Sequence, residues 1–467
     1  MNIKSKISFI LIIVIIIVLP VILAYRYFEL GSNTRYLKNI GNFFPKVLPA
    51  KNKIISILSI SPEIAGFNKE KTYLLLFQNN LEIRPAGGFI GSYGIVKLKD
   101  GKILDLKVEG SYVLDRKSSF FVKPPQVMQE HLKIRKLQFR DCNWCPDFPT
   151  TAKRAVYFYN HEGGKEKIDG VIAINPYVLV SIINEIGPIC ADDLCLKGEK
   201  QDIINLEHYV EKVYAQKGIQ FLNRKLILKE IAGKLKEKYK KLSLKKKLKL
   251  LKIAEEHLDK KDILIYFFDK DLQGKIEKLN WAGKVKDFSG DYLMIIDSNL
   301  LAKKTDYYIK RFVKYRVDLT EERPLAHLEI TYTHTGKKYD WMTSDYRNYL
   351  RVYAPKGSWL VKFEGGEEEV RFLDELNKTV FGNFITVKLG ETKTIVLEYL
   401  LPSRIKKGDY KLLAQKQSGI LELPLDIEIV SSKVIKNYFP EDGRIISAKK
   451  LKFHTNISSD KIFSVEY

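Results

Sequence analysis

The stretch Thr72–Lys117, TYLLLFQNNLEIRPAGGFIGSYGIVKLKDGKILDLKVEGSYVLDRK, decides how the chain is read. It opens on an apolar run, Tyr73 to Phe77, with no polar residue inside it, which is the pattern of a strand buried on both faces. A polar turn, Gln78-Asn79-Asn80, follows, and Gly87, Gly88, Gly91 and Gly94 cluster behind it. Two alternating segments, Tyr93–Lys99 and Lys102–Val108, meet at Asp100-Gly101, a strong hairpin signal. Glu82 and Arg84 sit at the mouth of the buried strand. Glycine beside them lets bare backbone approach a ligand, which is one way an anion site is built.

Working outward, KIDGVIAIN (Lys167–Asn175) reads as a second buried strand. Pro176 then opens a helix, PYVLVSIINEI, which Gly187-Pro188 ends. Between the two strands, DCNWCPDFPTT (Asp141–Thr151) is a compact turn segment, and Pro149 occupies a first helical turn that continues through Ala152–Tyr159. Ile263–Phe268 and Tyr292–Ile296 are apolar strands expected to return to the same sheet. Strand, helical crossover and strand suit an α/β domain, a mixed-sheet layer structure over residues 71–299. It carries a basic helical insert over 202–260. Ten lysines fall between Lys234 and Lys252, interleaved with leucines. They read either as a basic face for anionic lipid or polymer, or as the wet side of an ordinary helix whose leucines pack inward. From Tyr307 onward a period of two takes over, in segments such as AHLEITYTHTG and TKTIVLEYLLP. That pattern predicts an all-β immunoglobulin-like sandwich over residues 300–467. Lys304 and Asp306, at its start, are expected to form an ion pair between the domains.

At 467 residues, with 45% hydrophobic and 12% aromatic content, the chain can bury two or three cores, and wholesale disorder is excluded. Its net charge of +23 speaks about partners rather than fold. Residues Ile7–Tyr25, ISFILIIVIIIVLPVILAY, are long enough to cross a bilayer as a helix, and Lys4 and Lys6 precede them. Residues 1–28 therefore read as a cytoplasmic tip and uncleaved signal anchor, with the N-terminus inside and the bulk of the chain outside. Residues 29–70 read as a stalk. The expected partners are the membrane and anionic envelope polymer; no nucleic acid is expected, and no recognition motif for it is present. Four cysteines form two close pairs, Cys142 with Cys145 and Cys190 with Cys195. Two local disulfides are expected in an oxidising compartment, with a four-thiolate zinc site and free or redox-active thiols as the alternatives.

Several side chains are candidates for chemistry. Arg84 could clamp a phosphate or pair with Glu82. Gly87 and Gly88 could aim backbone N–H groups at an anion or serve tight packing. Asp115 and Asp169 could hold Mg²⁺ with oxygen donors or cap turns. Asp141, Asn143 and Asp147 suit local loop hydrogen bonds. Histidines at metal spacing, a Gly-x-Ser-x-Gly elbow and a phosphate-loop motif are all missing.

The segments QNNLEIRPAGGFIGSYG, NWCPDFPTTA, IDGVIAINP, NEIGP and NLLAKKTDYYIKR, in that order, closely resemble a bacterial membrane-anchored family catalogued as domain of unknown function 4012. The order of parts is also similar to the LytR–CpsA–Psr family, which transfers glycopolymers from a polyprenyl-pyrophosphate carrier to peptidoglycan. That resemblance implies an anion grip by Arg84 and by Arg224 and Lys225 in FLNRKLILKEIAGKL, with Arg116 a further anion-binding candidate, and Mg²⁺ as the only cofactor. Glu82, Asp115 and Asp169 are then the metal candidates. This sequence departs from the family at Ala86, where the family has an aspartate, and at its proline-arginine-aspartate motif, for which Glu109-Gly110-Ser111 or Asp115-Arg116 must stand in. The functional expectation is an extracytoplasmic envelope protein that binds or transfers a polyprenyl-phosphate-linked glycopolymer. The alternative is a non-catalytic scaffold or adhesion protein built on a degenerate transferase-like domain.

Overall fold

A computed structural model describes residues 60, 62–67, 69–219, 226–406 and 409–467. The chain divides into two compact units. The first holds the described residues up to Gln78, then Ile90–Phe120 and Ala152–Ala282; the second holds Asn79–Phe89, Phe121–Thr151 and Gly283–Tyr467. The expected anchor and most of the stalk lie outside the described residues. Among the described residues no helix is long and apolar enough to cross a membrane.

The first unit is built on a five-stranded mixed sheet. Its strands are β1 (Lys71–Asn79), β2 (Phe89–Lys99), β3 (Lys102–Gly110), β4 (Gly170–Ile174) and, after the short pair β5 (Ile189–Ala191) and β6 (Leu194–Leu196), β7 (Ile263–Phe267). The order is β3-β2-β1-β4-β7. β1 and β4 run parallel with Tyr73 opposite Gly170, and β4 and β7 run antiparallel. All five residues of β4 and of β7 are buried, as strands covered on both faces must be. The Asp100-Gly101 hairpin forms with both residues at positive φ, 49° and 69°, the conformation that glycine adopts freely and aspartate tolerates.

Helix Tyr177–Ile186 ends at Gly187 (φ 92°) and buries Val178, Ile182, Ile183 and Ile186 in the core of this unit. Helices Leu226–Lys240 and Leu244–Asp259 add Ile227, Ile231, Leu235, Leu250 and Leu258 to the same core. Of the two readings of the lysine run, the geometry matches the inward-packed helix, with Lys238 bonding the Pro188 carbonyl and Lys249 pairing with Glu185. Ile60, Ile64 and Ala65 are also in this core. The expected stalk to residue 70 is therefore too long, because apolar side chains at its end have a core to enter.

The second unit pairs two seven-stranded sheets. Its strands are β8 (Asp291–Ile296), β9 (Ile309–Asp318), β10 (Leu325–His334), β11 (Tyr346–Pro355), β12 (Trp359–Glu364), β13 (Arg371–Glu375), β14 (Lys378–Val387), β15 (Thr392–Leu400), β16 (Tyr410–Ala414), β17 (Pro424–Val430), β18 (Asn437–Phe439), β19 (Arg444–Ser447), β20 (Lys450–Asn456) and β21 (Lys461–Glu466). The orders are β12-β15-β10-β9-β17-β20-β19 and β13-β14-β11-β8-β16-β21-β18. Inward side chains of both sheets, such as Val313, Leu328 and Ile395 from one and Leu350, Phe381 and Phe463 from the other, share one core.

Three expectations are corrected here. β8 does not join the first sheet; it lies between β11 and β16. Its six residues are all buried, and the apolar run Tyr292–Ile296 carries no alternation to mark which sheet will cover it. The boundary accordingly falls at Gly283 rather than near 300. The sandwich is not immunoglobulin-like, since it has fourteen strands and two parallel contacts, β9 with β17 and β8 with β16.

Candidate functional site

Segment Asn79–Phe89, the proposed anion loop, belongs to the second unit. There Arg84 is 3% exposed. Its guanidinium donates to the carbonyls of Asn299 (2.6 Å) and Ile83 (3.2 Å) and to Glu82 Oε1 (2.8 Å), and it lies 5.5 Å from the Phe89 ring centre. The loop backbone is tied down as thoroughly. Asn80 donates to the Gly419 carbonyl, Gln417 to the Arg84 carbonyl and Asn143 to the Gly88 carbonyl. The N–H groups of Ala86, Gly87 and Phe89 donate to the carbonyls of Asn143, Arg84 and Glu82. A Cβ on Gly88 would sit 2.5 Å from the Asn79 carbonyl oxygen. Gly88 is thus required by close packing against the chain's own backbone, and Gly87 sits at φ 130° with its N–H spent on the Arg84 carbonyl. Glu82, a metal candidate, is the counter-ion of Arg84.

A buried ion cluster underlies the loop. Arg311 donates from Nε to Asp297 (2.6 Å) and from NH2 to Asp306 (2.9 Å) and to the Tyr346 hydroxyl (2.8 Å). Asp306 also accepts from the Ile83 N–H (3.0 Å) and the Asn299 amide (2.8 Å). Asp297 accepts from the Tyr332 hydroxyl and Asn348. The expected pairing of Asp306 with Lys304 between domains is corrected: its partner is Arg311, and both belong to the second unit. The NLLAKKTDYYIKR segment therefore serves packing, since its Asn299, Asp306 and Arg311 hold the QNNLEIRPAGG loop.

The remaining candidates lie elsewhere. Asp169 caps β1, accepting from the Thr72 N–H at 2.8 Å, and so takes the turn-capping role of its two readings. Asp115 is buried on helix Ser111–Lys117 of the first unit. Arg116, on the same helix, is exposed, with its guanidinium 5.8 Å from the Tyr112 ring centre. Arg224 and Lys225 lie outside the described residues. Cys190 and Cys195 form a disulfide across the β5–β6 turn. Cys142 and Cys145 are not joined by a disulfide, which corrects the second expected one: Cys142 is buried within the short helical turn Phe139–Trp144, and burial pushes the Cys145 thiol up to about 11. Asp147 accepts from Thr150 and also from the Val285 N–H, so it ties more than its own loop.

Among the described residues, Glu130, His131 and Glu368 form a cluster of metal-ligand type that the sequence gives no sign of. His131 Nε2 lies 2.8 Å from Glu368 Oε1, and its ring stacks on Phe384 with 3.8 Å between centres. Arg371 pairs with both carboxylates. That guanidinium already supplies the positive charge that a divalent ion would, so the cluster is explained as an ion-pair network. Residues so far apart in sequence give no spacing signal.

A family model described as "Protein of unknown function (DUF4012)" matches residues 68–208. The match runs from three residues before β1 to the end of helix Gln201–His208. No curated protein matches the sequence. Among solved structures, a protein of Streptococcus agalactiae is 12% identical over 48% of this chain and 76% of its own, with a TM-score of 0.30. A Listeria innocua protein is 11% identical over 49% and 87%, with a TM-score of 0.26. A candidate nutrient-binding protein of Legionella pneumophila is 10% identical over 38% and 70%, with a TM-score of 0.27. TM-scores at this level do not establish a common fold.

Proposed function

We propose that the chain is a non-catalytic binding scaffold of the cell envelope, tethered by its N-terminal apolar segment with both units outside the cytoplasm. One observation carries this reading. The guanidinium of Arg84, on which a pyrophosphate grip would depend, is committed to two backbone carbonyls and Glu82. Handing it to a ligand would strip three buried or half-buried acceptors of a charged donor, at about 1–3 kcal/mol for each group left unpaired. The departure from the LytR–CpsA–Psr pattern at Ala86 points the same way, because a methyl group cannot hold the metal that neutralises charge in phosphoryl transfer.

The test is calorimetric titration of the full chain in lipid nanodiscs with farnesyl pyrophosphate, with and without Mg²⁺, beside thermal unfolding of Arg84→Ala. We expect no Mg²⁺-dependent binding, and a loss of about 2–3 kcal/mol in the variant, roughly 5–10 °C in melting temperature. Saturable Mg²⁺-dependent binding that Arg84→Ala removes without moving the melting temperature would sink the scaffold reading in favour of the transferase.

A further inference from the structure

The second unit contains a cavity of about 340 Å³ whose lining includes Lys356, Lys378, Arg404, Ser289, Asn377 and Phe288. It is formed where strands end. Lys356 follows β11, Asn377 and Lys378 close the turn between β13 and β14, Phe288 and Ser289 precede β8, and Arg404 lies on the short helical turn Ser403–Lys406. The wall is fixed by backbone contacts. Arg404 donates to the Lys356 carbonyl at 3.1 Å, and Leu376 and Asn377 both adopt positive φ, 54° and 57°, to turn Lys378 into β14. A leucine in that conformation is held there only by what surrounds it.

Lys378 is the unusual member. It is 2% exposed, and no carboxylate among the described residues comes within ion-pair distance of its ammonium. Its contacts are the Asn377 carbonyl at 3.4 Å and the face of the Tyr292 ring at 4.6 Å. Burial pulls its pKa below the ordinary lysine value, and Asp287 offsets this only in part. A buried ammonium without a counter-ion is costly, and proteins keep such a group where something else supplies the charge. Lys356, at the rim, is half taken up by Asp374 at 3.2 Å. The cavity therefore offers three cations, a hydroxyl and one aromatic face; its lining includes no acidic side chain, although the Asn377 amide donates to Asp287 at 3.3 Å.

We propose that this cavity binds the oxyanion of a small polar ligand of sugar size, a phosphate or a carboxylate, with Lys378 as its counter-ion and Arg404 and Lys356 at the rim. An arginine fork and lysine point charges together suit oxygens spread around one anionic centre. The inference deepens the binding-scaffold reading by naming a ligand class, and it involves none of the residues around Arg84.

The experiment titrates the full chain with glucose 1-phosphate, glucuronate and inorganic phosphate, with neutral glucose as control. Wild-type protein should bind at least one anion at least tenfold more tightly than glucose. A preference for the phosphates over glucuronate would assign the source as a phosphate, and the reverse as a carboxylate. Lys378→Met, close in length and uncharged, should weaken that binding at least tenfold while melting no lower than wild type. Arg404→Ala should weaken it several-fold with unchanged melting. Anions that bind no better than glucose, equal affinity in Lys378→Met, or a Lys378→Met chain that unfolds would each overturn the assignment. Failure here leaves the pyrophosphate titration and the Arg84→Ala result untouched, so the two readings fail separately.

Discussion

Arg311→Ala should destabilise the second unit by about 3–5 kcal/mol, seen as a fall in its urea midpoint and a loss of roughly 10 °C in melting temperature. Arg311 holds two carboxylates that are almost wholly buried, with side-chain exposures of 2% for Asp297 and 4% for Asp306. Removing the guanidinium leaves two like charges in a space with little water, and one of them must take up a proton for the fold to persist. Burial already pushes the Asp306 carboxyl upward, with Arg311 as the main opposing influence. Asp306 in turn receives the Ile83 N–H, so the loss should spread to the Asn79–Phe89 loop and speed amide exchange there. Arg311→Lys should recover little, because one ammonium cannot reproduce the two directions in which the fork donates. Arg311→Met combined with Asp306→Asn should recover part of the loss, which a double-mutant cycle reads directly. A midpoint unchanged in Arg311→Ala would mean that the cluster is not what holds the loop.

The second large effect is a pH dependence centred on Asp291. This residue has no exposed surface; it accepts from the hydroxyls of Tyr315 (2.8 Å) and Tyr410 (2.6 Å) and from the Tyr292 N–H (2.7 Å). Burial raises its pKa from 3.8 to about 6, against the lowering pull of those donors. The folded form therefore keeps the proton between these values while the unfolded form gives it up. The stabilisation from this group is complete below about 3.8 and is lost as pH rises to about 6. Over that window it amounts to about 3 kcal/mol. Glu329, Glu367 and Glu428 are shifted downward and contribute in the opposite sense, losing stability as pH falls. The difference between wild type and Asp291→Asn isolates the single group. That variant should gain on wild type as pH rises from 4 to 7, and Asp291→Ala should lose about 3 kcal/mol or more at every pH because three donors lose their acceptor. A difference profile flat across this range would show that Asp291 does not titrate as its burial requires.

Much of the local structure was legible in the residues. Asp100-Gly101 announced its hairpin because few residues take two consecutive positive φ values. Pro176 and Gly187 bracketed their helix because one cannot donate a backbone bond and the other adopts the φ of 92° that ends it. The alternating segments after Tyr307 became strands because a pleated sheet with one buried face imposes that period. β8 was placed in the wrong sheet because a strand buried on both faces has no alternation to orient it. The glycine loop looked like an anion site because an arginine beside bare backbone serves a ligand and a buried clasp equally well.

What the sequence determined alone is therefore many of the local elements with their ends and the change from an α/β layer to β-sheets, since each depends on neighbours within a few residues; of two equally short-range cysteine pairs, the fold joins only Cys190 and Cys195. The tertiary structure decided the use to which the charges are put. The Arg84 guanidinium meets the Asn299 carbonyl and Glu82, Arg311 meets Asp297 and Asp306, and Lys378 meets an aromatic ring and a cavity instead of a carboxylate. Whether a charge is neutralised at home or left for a ligand depends on which side chains the fold turns towards it, whether 5 residues away, as Asp306 is from Arg311, or 215, as Asn299 is from Arg84, and spacing along the chain carries no record of that choice.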